Sequence, residues 1–178
     1  MISKPSHDLL NGSDDAVVVA LGSNLSGDYA SSIALLEAAL AAFPDEGLKV
    51  VGRSGWWRSA AWPDPSDPAF VNGVAMVETA LSPDQTLQAL HAIEGRFSRV
   101  RRQQNAPRTL DLDLIAFGRE QSKAPALPHP RAHERAFVMR PLAEIAPHWR
   151  HPTLGLSATE RARAARVGAD ASKLASHA

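Results

Sequence analysis

The chain has 178 residues, 44% of them hydrophobic, and its 19 basic and 19 acidic side chains cancel to a formal charge of zero. That length and apolar content suit one domain with a full core, and the balanced charge excludes a general affinity for polyanions, so any phosphate site must be local. No cysteine is present, which excludes disulfides and thiolate metal centres and points to a reducing cytoplasm.

Met1 to Asp14 reads as a flexible leader, polar and without the apolar stretch of a signal peptide. No later run approaches the roughly 18 apolar residues of a membrane span, so a cytoplasmic protein with no membrane partner is expected. Ala16 to Leu21 is a continuous, β-branched run and predicts a buried strand ending at Gly22. Ser26, Gly27 and Asp28 open a predicted helix to about Phe43, with Ile33, Leu36, Leu40 and Phe43 on one face. Pro44 and the turn at Asp45-Glu46-Gly47 stop it. Leu48 to Arg58 predicts a second strand, Ser59 to Pro68 a Pro-rich loop, and Phe70 to Thr79 an alternating third strand. Ser82 as N-cap, Pro83 at the first position and Gln85 closing a capping box start a second helix to about Phe97.

An arginine-dense stretch follows. The chain holds fifteen Arg against four Lys, and Arg96, Arg99, Arg101, Arg102 and Arg108 fall within thirteen residues. Arginine's planar fork binds phosphate oxygens in a bidentate way that lysine cannot. A solvated helix end accounts for Arg96 and Arg99, but not for Arg108, which follows Pro107 and abuts an acidic pair.

That pair stands in the strand Arg108 to Phe117. Period-two geometry puts Asp111 and Asp113 on one face with Thr109, and Leu110, Leu112 and Leu114 on the core face. Adjacent carboxylates on a strand repel each other. Mg²⁺, which is commonly held by one or two carboxylates and the phosphates of a substrate, offsets that repulsion. Beyond the strand lie a polar excursion to Ala126, a Pro/His/Arg segment to Arg135, and a short apolar element from Phe137 to Ile145. The strand-helix-strand-strand-helix-strand order predicts a ferredoxin-like α+β sandwich, with a mainly antiparallel sheet and both helices on one face. The other face, carrying the aspartates, is left to the loops.

Four segments together resemble the 6-hydroxymethyl-7,8-dihydropterin pyrophosphokinase family. They are Leu21-Gly22-Ser23-Asn24-Leu25, Phe70-Val71-Asn72, Pro107-Arg108-Thr109-Leu110-Asp111-Leu112-Asp113, and Pro128-His129-Pro130 followed by Glu134-Arg135-Ala136-Phe137-Val138. The resemblance covers roughly Val17 to Pro147. It implies the same ferredoxin-like fold and transfer of the β,γ-diphosphate of ATP to a pterin hydroxymethyl group, with two Mg²⁺ ions. It implies Asp111 and Asp113 as metal ligands and, with Arg99 and Arg108, as catalytic residues, backed by Glu94. Arg99, Arg101, Arg108, Leu114, His129 and Arg135 would contact ATP. Asn72 would meet the pterin edge between Phe70 and Phe137, with Gly22, Ser59, Ala60 and Trp62 supplying further contacts. The organisation implied is a leader over 1–14, a catalytic domain over 15–156, and a short helix with a frayed tail over 157–178. A monomer with no nucleic-acid partner is expected.

Physical chemistry supports these roles separately. A flat heterocycle needs aromatic faces and an amide that both donates and accepts. No Walker-type glycine loop is present, so metals and arginines must hold the phosphates. On pattern alone, Phe70 and Phe137 remain open between core and site, His129 between loop residue and ligand, and Gly22-Ser23-Asn24 between turn and site. Trp56 and Trp57 divide into one core and one surface residue. The chain departs from the family where Asn105-Ala106 replaces a usual Trp-Gly, where Arg102 replaces a common lysine, and at Ala60-Ala61-Trp62-Pro63. Trp62 is a candidate substitute for the missing loop aromatic. A magnesium-dependent nucleotidyl- or glycosyltransferase with a D-x-D pair, a ferredoxin-like RNA-binding module and an inactive homologue that only binds pterin or nucleotide are the competing readings.

Overall fold

The structure is a computed structural model describing residues 14–61, 63–97 and 109–176. Its main sheet runs in the order β5-β1-β4-β3-β8, with β2 also paired to β4. The strands are β1 (Val17–Ser23), β2 (Lys49–Arg53), β3 (Trp57–Ser59), β4 (Phe70–Glu78), β5 (Asp111–Phe117) and β8 (Ser172–Lys173). All the strand pairs are antiparallel. A two-stranded ribbon, β6 (Ser122–Lys123) with β7 (Ala126–Leu127), forms the polar excursion. The helices are α1 (Ser32–Ala42), α2 (Pro83–Phe97), α3 (Ala136–Ile145) and α4 (Ala158–Ala164).

α1 and α2 pack on one face of the sheet, as the element order predicts. Val17, Val19 and Leu21 of β1 and Leu112 and Leu114 of β5 meet Leu35, Leu36 and Ile93 there, all buried. α2 starts where its sequence says: the Ser82 N–H donates to Gln85 Oε1 at 3.0 Å and the Gln85 N–H to Ser82 Oγ at 3.2 Å. α1 starts later than expected. Its cap is Ser31, whose side chain accepts from the Ala34 N–H, while Ser26 closes a turn to Tyr29 with Gly27 at φ +54°. A positive φ cannot begin an α-helix.

The strand expected over Leu48 to Arg58 is two strands. Ser54 Oγ accepts the Val74 N–H at 2.9 Å, replacing a backbone partner with a side chain. Trp56 turns into the core at the same break, and its indole N–H reaches Glu37, which also takes a two-pronged bond from Arg53 at 2.6 and 2.8 Å. Trp57, half-buried, donates instead to Glu144 at 2.9 Å. One core and one surface tryptophan is the division expected.

The opposite face is more covered than expected. α3 and the fully buried Trp149 seal its lower half over Val18, Ala20, Val74, Met76, Ile115 and Ala116. Sequence order places α3 after β1 to β5, and its Val138, Met139 and Leu142 need an apolar surface. α4, capped by a Ser157–Glu160 box, packs behind α3. Beyond α4 the tail does not fray at once: Ser172–Lys173 adds an edge strand to β3, and the Leu174 N–H donates to Trp56 O at 2.9 Å. Unpaired N–H and C=O groups on the edge of β3 favour such an addition.

Candidate active site

The upper half of the second face stays open, and apart from Phe70 its strand residues are polar or too small to need a cover. β1 contributes Ala20 and Gly22, β4 contributes Phe70 and Asn72, and β5 contributes Asp111 and Asp113. The register makes these neighbours: Gly22 faces Asn72 across one ladder and Asp111 across the other, and Ala20 faces Asp113. Ser59 and Ala60 from the end of β3, and Arg135, Phe137 and Val138 from the start of α3, complete a cavity of about 190 Å³. Ligand sites typically measure about 300–1,000 Å³, so the described walls suit one small flat ligand rather than a whole nucleotide beside it.

Asn72 is 5% exposed, and its side-chain amide donates to Ser59 Oγ at 2.9 Å. That bond orients the amide and directs its carbonyl oxygen towards Gly22, where an added Cβ would lie 3.4 Å from Oδ1. Glycine here keeps the amide edge open to the cavity. Phe70 and Phe137 are both only partly buried and both line the cavity, which places them in the site and not wholly in the core.

Asp113 lies 3.9 Å from Arg135 Nη1, with its side chain 47% exposed. Between the two aspartates, the Leu112 N–H points outward from the edge strand and donates to Glu94 Oε1 at 2.8 Å. Burial raises the Glu94 pKa; the Leu112 bond opposes that, and the charge of Asp111 adds to it. Glu94 thus fixes the strand between the acidic pair instead of lining the cavity. Thr109 donates to Phe97 O at 3.0 Å, joining the end of α2 to the start of β5; its hydroxyl serves the frame.

His129 is held by its own N–H to Ile115 O at 2.8 Å, and its Nδ1 accepts the Arg131 N–H at 3.2 Å. In the neutral ring the proton therefore sits on Nε2. Burial lowers its pKa, Asp113 pulls it upward, and Arg135 and Arg131 push it down. His129 lies in the field of Asp113 but does not line the cavity. Leu114 is not brought to the cavity either: its side chain is in the helix-side core, 5% exposed, because one residue's step along a strand reverses the face.

Arg99, Arg101, Arg102, Arg108, Asn105, Ala106 and Trp62 lie outside the described residues. Ala20 and Val138 were not anticipated as lining. The alternation of β1 was the available signal for Ala20, which shares its face with Gly22. Among the described residues no group of three or more His, Asp or Glu side chains could hold a metal. The donor set is two carboxylates, which matches an ion that completes its shell with phosphate and water oxygens. No described helix is long and apolar enough to cross a membrane.

Residues 18–147 match the family described as 7,8-dihydro-6-hydroxymethylpterin-pyrophosphokinase. The 2-amino-4-hydroxy-6-hydroxymethyldihydropteridine pyrophosphokinase of Synechocystis sp. is 44% identical over 142 residues, covering 78% of this chain and 70% of the relative. That of Pseudomonas aeruginosa is 44% identical over 141 residues, covering 76% and 83%. Among solved structures, wild-type Plasmodium falciparum HPPK-DHPS with pteroate superposes with a TM-score of 0.65 at 11% identity. It covers 83% of this chain, which spans 42% of that longer one, and at that identity the likeness concerns the fold alone. The matched stretch contains every described residue of the cavity, and on these grounds the chain belongs to the 7,8-dihydro-6-hydroxymethylpterin-pyrophosphokinase family.

Proposed function

We propose that the chain transfers the terminal diphosphate of ATP to the hydroxymethyl oxygen of 6-hydroxymethyl-7,8-dihydropterin, releasing AMP and forming the pterin diphosphate used in folate synthesis. The observation that carries this reading is the shared cavity: an oriented amide and two aromatic rings line the same space as a pair of carboxylates. Asn72 would meet the hydrogen-bonding edge of the ring, and Phe70 and Phe137 its faces. The substrate oxygen attacks the β-phosphorus, the bond from that phosphorus to the α-phosphate oxygen breaks, and the hydroxyl proton leaves to solvent.

Such a transfer depends on in-line positioning and charge neutralisation more than on a protein nucleophile. Asp111 and Asp113 would hold magnesium, which when bound neutralises the phosphates and orients them. Glu94 supports them through the strand. Arg135 would take a phosphate oxygen in exchange for its long contact with Asp113, and His129 would donate from Nε2. Arg99, Arg101 and Arg108 are assigned to the ATP phosphates, and Arg99 and Arg108 to catalysis, from the family's pattern. Trp62 is kept as a pterin contact on the same basis.

The test is product analysis with ATP, Mg²⁺ and the hydroxymethyl pterin. AMP formed in step with the pterin diphosphate supports diphosphate transfer. ADP as the nucleotide product would show a simple kinase, and no pterin-dependent nucleotide turnover would show an inactive binding protein.

A further inference from the structure

The tail after α4 lies beyond the stretch matched to the family, yet it touches two walls of the cavity. Val167 bridges to Arg135 in parallel, through the Ala136 N–H to Val167 O at 2.8 Å and the Val167 N–H to Glu134 O at 3.0 Å. Gly168 follows at φ +67°, and a Cβ built there would overlap Cδ1 of Phe137 and come within 3.2 Å of Cε1. The backbone of Gly168 therefore packs close against the ring. Two residues on, Asp170 Oδ2 accepts the Ala60 N–H at 2.7 Å, and Ala60 lines the cavity wall. Both ends are anchored. Arg140 of α3 donates to Ala169 O at 2.9 Å and also to Ala171 O. Ser172 and Lys173 pair with β3, and Lys173 Nζ meets Glu144 Oε1 at 2.8 Å.

We propose that Val167–Lys173 is a positioning strap for the pterin half of the site, with Gly168 setting the Phe137 ring and Asp170 setting the Ala60 backbone. Phe137 sits on the first turn of α3 and Ala60 just past the end of β3, so neither is held by the middle of an element. The strap is the piece of chain that touches both, and it fixes the spacing between ring and wall. Small displacements of a substrate-holding group carry large kinetic consequences. The inference rests on the reading of this cavity as the pterin site.

The experiment measures KM for pterin and for ATP, kcat and thermal unfolding in Gly168→Ala, Gly155→Ala, Asp170→Ala and Asp170→Asn of the full chain. Gly155 has the same φ of +67° with nothing within 4 Å of an added Cβ. It imposes the same left-handed backbone penalty without touching the site. Gly168→Ala should raise the pterin KM on the order of tenfold with little change in the ATP KM, while Gly155→Ala lowers thermal stability and leaves both KM values alone. Asp170→Ala should raise the pterin KM, and Asp170→Asn, which keeps an acceptor for Ala60, should restore it. Equal pterin KM values in Gly168→Ala and Gly155→Ala, or in Asp170→Ala and wild type, overturn the strap and leave the tail a structural clasp. Should Gly168→Ala fail to fold, the two Asp170 variants decide alone. Wild-type protein that releases no AMP with pterin overturns the underlying reading, and the strap's role with it.

Discussion

The two faces of the central sheet come from the same strands and differ in what they are built to do. On the helix side, Val17, Val19 and Leu21 of β1 and Leu112 and Leu114 of β5 are apolar and are sealed by α1 and α2. On the other side, the same strands are apolar at one end, under α3 and Trp149, and turn polar at the other, where Gly22, Asn72, Asp111 and Asp113 stand together. The first face can maximise burial. The second holds two like charges side by side, an arrangement that lowers stability and that a bound cation would offset. Stability and chemistry are thus divided by the pleat, residue by residue.

The strongest test of that division is a cavity on the closed face. Leu36 has no exposed surface, so Leu36→Ala should remove stability in the upper part of the ~2–5 kcal/mol range for buried leucines. Its kcat should be unchanged at temperatures where it remains folded; denaturant melts and steady-state assays on one preparation check both. A large loss of kcat in a folded Leu36→Ala protein would break the comparison.

The converse experiment is Asp111→Ala or Asp113→Ala. Each should lower kcat by on the order of 10²–10³-fold, as for other preorganised electrostatic groups, at saturating Mg²⁺. Denaturation midpoints should change little, because relief of the repulsion between the pair offsets the contacts that the removed carboxylate makes. Near-normal turnover in either variant would remove the metal assignment.

The sealed end of the second face should reveal itself through pH. His151 is 4% exposed, and burial pushes its pKa from 6.5 down to about 4, with His133 and Arg161 assisting. Its Nδ1 faces the N–H groups of Thr153 and Leu154 at 3.3 and 3.2 Å, which favours the neutral ring. The unfolded chain takes up a proton from about pH 6.5 downward, whereas the folded one resists until about 4. The stability is therefore fully present above pH 6.5 and lost as pH falls towards 4, by about 3 kcal/mol. His151→Gln should flatten the profile between those limits, measured by urea unfolding at several pH values. A wild-type profile that is already as flat as the variant's would show that this end is not closed to protons.

A smaller effect sharpens the role of α2, which serves both faces by packing its apolar side in the core and lending Glu94 to β5. Ser82→Ala removes the cap and half of its reciprocal bond pair, and should cost about 1 kcal/mol. Turnover should hold, since Glu94 lies three turns away, and a circular-dichroism melt with a parallel assay separates the two readouts.

Much of this protein was legible in the chain because the relevant information is local. Alternation put Asn72 with Phe70 and Asp111 with Asp113, and the Ser82-Pro83-Gln85 signal marked the start of α2 to the residue. Those features need only neighbours within a few positions. Boundaries were harder where a side chain took over a backbone partner, as Ser54 does between β2 and β3, or where a turn at Gly27 moved the start of α1 from Ser26 to a cap at Ser31.

By itself, then, the sequence determined which strand residues share a face, that the aspartates stand on the face opposite α1 and α2, and the family to which the chain belongs. Tertiary structure alone decided that α3 would close half of that face, that Leu112 would lean on Glu94, and that the tail would return to touch Phe137 and Ala60. The physical reason is distance along the chain. Ala60 and Asp170 are separated by 110 residues, and no periodicity or cap encodes which distant surface will satisfy a given N–H or cover a given ring.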